Sequence, residues 1–358
     1  MNFFGFSVRP RSLAFLFAIV LASCGSRCQR GEEPGSSKTV HLFVWGEYTS
    51  KALFDRFTAQ TGIEVVESNF ASNEELLAKL QAGADGYDLI IPSDYMVQVM
   101  AELGLLRQLD HGKIPNVVNI DPELLNLGFD RGNRWSLPYS YAVTGITYNK
   151  DRVKSPPKTY NDLWTSKELR LRFSVLDDSR EVFASALKQS GFSANSNDTN
   201  ELRQARDLLI SAKANIREFT STPAAMLESG DLLAAQMYSN ESLRLIARDP
   251  RFAFILPDSG FSVSMDNFAV PKSARNPDNA HALIDFLLNP SVNLEFASEI
   301  MTAPVTKGTR SLLPEPIRSH QAIQPIASLL SRGEMLRDVG AKIQDYDRMW
   351  TELKVAGY

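Results

Sequence analysis

Cysteine is nearly absent. The 358 residues hold two, Cys24 and Cys28, both close to the N-terminus. Everything after them is therefore built without a disulfide framework or a thiolate metal site. Histidine is almost as scarce: His41, His111, His281 and His320 are scattered with no ligand spacing, which argues against a metal centre. No G-x-S-x-G elbow, P-loop or G-x-G-x-x-G turn occurs, so acyl transfer, nucleotide hydrolysis and dinucleotide chemistry have no signature. Positive charge is not in excess either. The net charge is −4, or −6 without the two leader arginines Arg9 and Arg11, and that argues against a nucleic-acid surface. Internal repeats, heptad runs and low-complexity tracts are missing as well.

What is present begins with a targeting segment. Arg9 and Arg11 precede an apolar run over 13–21, too short to span a bilayer comfortably and followed by polar residues. Leu21-Ala22-Ser23-Cys24 resembles a bacterial lipobox, in which the cysteine is acylated and becomes the mature N-terminus. Cys28 fits poorly, because Arg27 stands where a small residue is required. The alternative is ordinary secretory cleavage with Cys24 and Cys28 joined as a disulfide. The expected organisation is a signal peptide over 1–23, a polar Gly/Ser/Pro-containing tether over 24–37, and a folded body beyond. A lipid on Cys24 would hold that body in the periplasm or at the cell surface.

Hydrophobic content of 44% and charged content of 22% suit a soluble body with a sizeable core. Alternation predicts a strand over 39–45. A helix over 51–61 follows, burying Leu53, Phe54 and Phe57 and stopping at Gly62. A strand at 63–67, a helix capped by Ser72 or Asn73, an apolar strand at 88–92 and a helix over 96–103 come next. That β-α-β-α-β order calls for a parallel sheet flanked by helices, an α/β fold. A second βα region runs over about 148–260. It contains helices at 180–187, 200–211 and 223–230 and a strand at 233–238. A strand at 262–270 and helices at 276–288 and 291–301 complete the pattern.

The chemistry collects where strands end. Phe173, Val175 and Leu176 make a short apolar run, Asp177 and Asp178 follow, and Glu181 lies in the first helical turn beyond. That edge of an open α/β sheet is where ligands bind. Asp178-Ser179-Arg180-Glu181 fits a capping box equally well, so both readings stand. Comparable clusters recur at Trp45-Gly46-Glu47-Tyr48, Ser93-Asp94-Tyr95 and Tyr238-Ser239-Asn240-Glu241, with Asp266 inside a later strand. Carboxylates beside aromatic rings suit an ammonium ligand, through charge-assisted hydrogen bonds and cation–π attraction. A glycosidase-type carboxylate pair is the weaker alternative for Asp178 and Glu181.

At these clusters the chain resembles the substrate-binding proteins of bacterial polyamine ABC transporters, the spermidine/putrescine-binding PotD type. The carriers are VWGEY (44–48), FTAQTGIEV (57–65), SNEELLAKL (72–80), YDLIIPSDYMV (87–97), LDDSREVF (176–183), SMDNFAVP (264–271), FLLNP (286–290) and RDVG (337–340). The resemblance implies a two-lobed, type II periplasmic-binding-protein fold, a Venus flytrap with a central sheet flanked by helices in each lobe. Lobe 1 would take 38–143 and 265–312, and lobe 2 would take 144–264 and 313–358. It further implies capture of putrescine or spermidine in the interlobe cleft and delivery to a membrane permease, with no catalytic residue and no cofactor. The implied contacts are Trp45, Glu47, Tyr48, Ser93 and Tyr95 from lobe 1, Asp178, Glu181 and Tyr238 from lobe 2, and Asp266 on a terminal amine. Gly46, Tyr238, Ser264, Thr302 and Leu336 depart from the family's threonine, two tryptophans, tyrosine and glutamine. The acids stay while part of the aromatic wall goes, so putrescine is expected to bind at least as tightly as spermidine. A sensor with this fold, or another small ligand, is the alternative.

Overall fold

Val40, Leu42 and Val44 point to one face of the first strand and Phe43 to the other, all four buried, because side chains alternate along an extended chain. This strand, Thr39–Trp45 (β1), lies in a computed structural model that describes residues 38–356. The leader, Cys24 and the tether fall outside the described residues. Beyond β1 the strands are Glu64–Phe70 (β2), Leu89–Ile90 (β3), Leu106–Arg107 (β4), Ser136–Asn149 (β5) and Phe173–Val175 (β6). They continue as Glu218–Phe219 (β7), Ala234–Tyr238 (β8), Phe252–Ile255 (β9), Ser262–Pro271 (β10) and Glu334–Met335 (β11).

The sheet order is β2-β1-β3-β10-β5-β8-β6-β7. β1 pairs in parallel with β2 and β3, as the β-α-β-α-β reading requires, and β6 pairs in parallel with β7 and β8. β10 and β5 lie antiparallel between those two parallel sets and join them. Each set has its own core. On the first side Leu42 and Val44 pack with Leu283, Ile284 and Phe296 from the helices Pro277–Leu287 and Pro290–Glu299, while Phe43, Phe70, Ile90 and Met100 fill the opposite face. On the second, Ile146, Phe173 and Val175 pack with Val182, Phe183 and Leu187 of the helix Ser179–Gln189, and with Tyr346 and Met349 of the helix Ile343–Val355. Full burial of each such side chain contributes roughly 1.5–3 kcal/mol, so both halves have a sizeable apolar driving force. The fold is two-lobed α/β.

The local signals mostly act as expected. Ser50 accepts the Leu53 N–H at the start of the helix Lys51–Thr61, and Gly62 closes it with φ 72°, where a side chain would be strained. Ser72, not Asn73, caps the helix Asn73–Gln81, which frees the Asn73 amide for another task. The long strand β5 carries no alternation, because nearly all of it is buried on both faces. It also contains Pro138 and Gly145, residues that weaken a strand unless its pairing accommodates them. Pro138 sits opposite Asn267, where the β5–β10 register shifts, and Gly145 is needed because a Cβ there would stand 2.3 Å from the Phe254 ring.

Candidate functional site

The centre of the site lies where the register between β5 and β10 shifts. The β10 register slips between Asp266 and Asn267, and Asp266 also forms an isolated antiparallel bridge with Ser93. The Asp266 carboxylate accepts the Ser93 hydroxyl at 2.9 Å. Ser93 is held in turn by Asn73, which accepts its backbone N–H at 3.2 Å and places its amide nitrogen 3.1 Å from both the Ser93 and Tyr95 hydroxyls. The Tyr95 hydroxyl donates to Glu74 at 3.2 Å. Trp45 and Tyr48 flank the same carboxylate. Their ring N–H and phenol O–H ease the Asp266 ionisation that burial opposes, yet neither reaches full hydrogen-bond geometry with any protein acceptor. Burial dominates, and the Asp266 carboxyl is pushed up to about 6.

The second group comes from the other parallel set. Asp178 caps the helix Ser179–Gln189 by accepting the Glu181 N–H at 3.1 Å, and the Tyr238 hydroxyl stands 3.5 Å from its second oxygen. The reciprocal half of a capping box is not made. The Glu181 side chain turns away from the Asp178 backbone and accepts the Ser262 hydroxyl of β10. Burial first, and the neighbouring Asp178 charge second, push Glu181 up to about 7. Burial likewise raises Asp178 above the carboxylate range. Asp177 does not join them: it pairs with Lys354 at 2.6 Å on the exterior.

Asp178, Glu181, Tyr95, Tyr238 and Asp266 thus come within electrostatic reach of one another, with Ser93, Trp45 and Tyr48 around Asp266. Glu47 stands apart. It is exposed, with a left-handed backbone at φ 54°, and makes no hydrogen bond in the cluster, although its charge acts on Glu241. Two acids outside the expected contacts belong here. Burial pushes Glu241 up to about 7, opposed by Arg244 and reinforced by Glu47. Asp94 is 1% exposed and is raised well above its usual range by burial and by the charges of Asp266 and Glu181. Both stand in the acid–aromatic clusters of the sequence, which is the signal they offered. Thr302 is buried with its hydroxyl against Ser140, beside Tyr48. Leu336 packs on Ala184 and Ala194 behind the helix Ser179–Gln189.

The arrangement concentrates unneutralised acid among rings. Arg180, the guanidinium in the helix beside these acids, eases the ionisation of Asp178 and Glu181 from a distance, while its hydrogen bonds go to the Arg337 carbonyl at 3.0 Å and Asn195 at 3.1 Å and it lies over the Tyr346 ring. Asp178, Glu181 and Asp266 make no ion pair with a Lys or Arg among the described residues, and such carboxylates suit a ligand that brings its own positive charges. Two hollows of about 190 and 280 Å³, near Arg310 and near Arg275, share no residue with this cluster. Among the described residues no group of three or more His, Cys, Asp or Glu is placed to hold a metal ion.

Two parallel sheet halves with separate cores, linked through β5 and β10 beside a cluster of acids and rings, are the architecture of a two-lobed solute-binding protein. Residues 52–324 match the family described as bacterial extracellular solute-binding protein, and the chain belongs to that family. It is 34% identical over 352 residues to the spermidine/putrescine-binding periplasmic protein 1 of Haemophilus influenzae, spanning 96% of this chain and 97% of that one. It is 31% identical over 345 residues to the putrescine-binding periplasmic protein PotF of Escherichia coli, spanning 90% and 93%. The Tp0655 (TpPotD) lipoprotein of Treponema pallidum superposes with a TM-score of 0.81 at 32% identity, spanning 88% and 99%.

Proposed function

We propose that the protein is the extracytoplasmic polyamine-binding component of an ABC importer, taking putrescine or spermidine and passing it unchanged to a membrane permease. The observation that carries this is the set of buried Glu181 and half-buried Asp178 and Asp266, gathered among Trp45, Tyr48, Tyr95 and Tyr238 and held above the ordinary carboxylate range. Ammonium groups supply what those acids lack, and rings cover the methylene stems. Relatives whose names include spermidine and putrescine support the same ligand class.

Lobe 1, over 38–143 and 265–312, and lobe 2, over 144–264 and 313–358, close on the ligand by a hinge motion. Trp45, Glu47, Tyr48, Ser93, Tyr95 and Asp266 grip from one side, and Asp178, Glu181 and Tyr238 from the other, with Glu47 the exposed member of the set. Truncating Glu181 to Gln or Asp266 to Asn then costs about 2–5 kcal/mol, roughly thirtyfold to several thousandfold in affinity. A Glu181→Gln protein that binds polyamines as the parent does would leave Glu181 with a structural role alone. The lipobox-like segment and the lipoprotein relative of Treponema pallidum support a lipid anchor on Cys24. Cys24→Ser moves the protein from membranes to the soluble fraction; unchanged membrane retention contradicts the anchor.

A further inference from the structure

Glu181 is turned from its local role by a residue far along the chain. At the third position of a helix, a glutamate ordinarily reaches back to the backbone of the cap residue. Here its carboxylate accepts the Ser262 hydroxyl of β10 instead, and both residues are buried, Glu181 at 4% and Ser262 at 3% exposure. Ser262 is itself firmly placed. It begins β10 opposite Glu334 in the parallel β10–β11 pair, and the Glu334 N–H donates to the Phe261 carbonyl at 3.0 Å. Gly333 lets β11 lie this close, since a Cβ there would stand 2.6 Å from the Phe261 ring. The Glu334 carboxylate accepts the Ser193 hydroxyl at 2.6 Å, the Ala194 N–H at 2.9 Å and the Asn195 amide at 3.0 Å, and it faces Lys188 at 3.5 Å. Asn195 in turn accepts the Arg180 guanidinium at 3.1 Å. The strand pair that supplies the hydroxyl is thus tied to both ends of the helix that supplies the carboxylate.

We infer that Ser262 is a positioning residue for ligand capture, whose hydroxyl holds the Glu181 carboxylate off the helix cap and favours its charged form. The inference rests on the polyamine reading proposed above. A donor fixed on a carboxylate stabilises the anion more than the acid, and burial makes that bond matter more than it would in water. The other groups around Glu181 act in mixed directions. The Asp178 charge opposes its ionisation, Thr144 of β5 and Arg180 ease it, and Asp94, Tyr160 and Tyr238 feel its charge from three further elements.

Ser262→Ala removes the hydroxyl and leaves the strand pairing, which the backbone makes. In ligand-free protein, carbon-13 NMR of the glutamate carboxyls should show the Glu181 titration moving up by about one pH unit, a tenfold change in ionisation for one lost charge-assisted hydrogen bond. Affinity for putrescine and spermidine at pH 7 should fall by about fivefold to tenfold, and the loss should shrink by pH 9. Ser262→Thr, which keeps the hydroxyl on a strand-favouring residue, should restore both readouts. A Glu181 titration that stays in place in Ser262→Ala overturns the inference. So does an affinity loss of the same size at every pH, which is what a packing defect gives. If Ser262→Ala does not fold, Ser262→Cys, whose thiol is a weaker donor, should shift the titration the same way by less, and no shift there is equally fatal. A parent protein that binds no polyamine would instead overturn the polyamine reading, while the ligand-free titration still decides what Ser262 does to Glu181.

Discussion

Raising or lowering pH perturbs the site without touching its packing, and its effect on binding can be worked from two carboxyls. Burial pushes the Asp266 carboxyl up to about 6, and burial with the Asp178 charge pushes Glu181 up to about 7. A polyamine stays protonated throughout this range, since alkyl ammonium groups titrate near about 10. The ligand needs both acids ionised, so each protonated acid must first lose its proton. At pH 5 that factor is about ten for Asp266 and about one hundred for Glu181, against close to one for both at pH 8. Affinity for putrescine is therefore expected to fall by about a thousandfold from pH 8 to pH 5. The plot of log affinity against pH should be flat above 7, rise by one proton per unit between 6 and 7, and by two below 6. Calorimetric titrations at pH 5, 6, 7 and 8, each in two buffers of different ionisation enthalpy, count the protons released directly. In Glu181→Gln the step near 7 should vanish and the step near 6 remain. An affinity constant within threefold from pH 5 to 8 would refute the assignment of these acids as ammonium ligands in a closed site.

The same shifts make a prediction for stability. Both acids titrate higher folded than unfolded, so their contribution is fully present below about pH 4 and lost as pH rises through 6 to 7, about 3 kcal/mol for each group. The melting temperature of ligand-free protein, by calorimetry, should therefore fall between pH 5 and 8, and saturating putrescine should reverse the fall. Gly145→Ala forces a Cβ to within 2.3 Å of Phe254 and 2.5 Å of the Ile255 carbonyl, and denaturant unfolding should show a loss of about 1–3 kcal/mol. In the parent, putrescine should bind at least as tightly as spermidine. Ser264→Trp should shift preference toward spermidine by two- to thirtyfold, roughly the 0.5–2 kcal/mol of one cation–π contact, read by competition titration.

Where one local signal suffices, the sequence was legible. The helix Lys51–Thr61 has its period, its Ser50 cap and its Gly62 stop within a dozen residues, and Pro223 and Gly230 bracket the helix Ala224–Ser229 in the same way. β5 was not legible, because a strand buried on both faces shows no alternation and its Pro138 and Gly145 make sense only beside β10 and β9. The site divides along the same line. Asp178 could be placed from its own neighbours, as the end of an apolar run and the start of a helix. Whether Glu181 caps that helix or faces a ligand depended on Ser262, 81 residues away. Asp266 was visible as an acid inside a strand, but its partner Ser93 lies 173 residues away, so its role on a terminal amine came only from likeness to a family. Asp94 and Glu241 sat in visible acid–aromatic clusters, but burial, which sets their chemistry, is a property of the assembled sheet.

The most direct measurement is a calorimetric titration of protein stripped of ligand by partial unfolding and refolded, at pH 8, with putrescine, cadaverine, spermidine and spermine. A neutral diol of the same length as putrescine serves as the uncharged control. Saturable one-to-one binding of putrescine and spermidine, with no detectable heat from the diol, is the predicted result, because the buried acids recognise charge rather than chain length alone. Equal binding of diol and diamine, or no binding of any polyamine by a protein that has recovered its fold, would contradict a cationic-solute site at Asp178, Glu181 and Asp266.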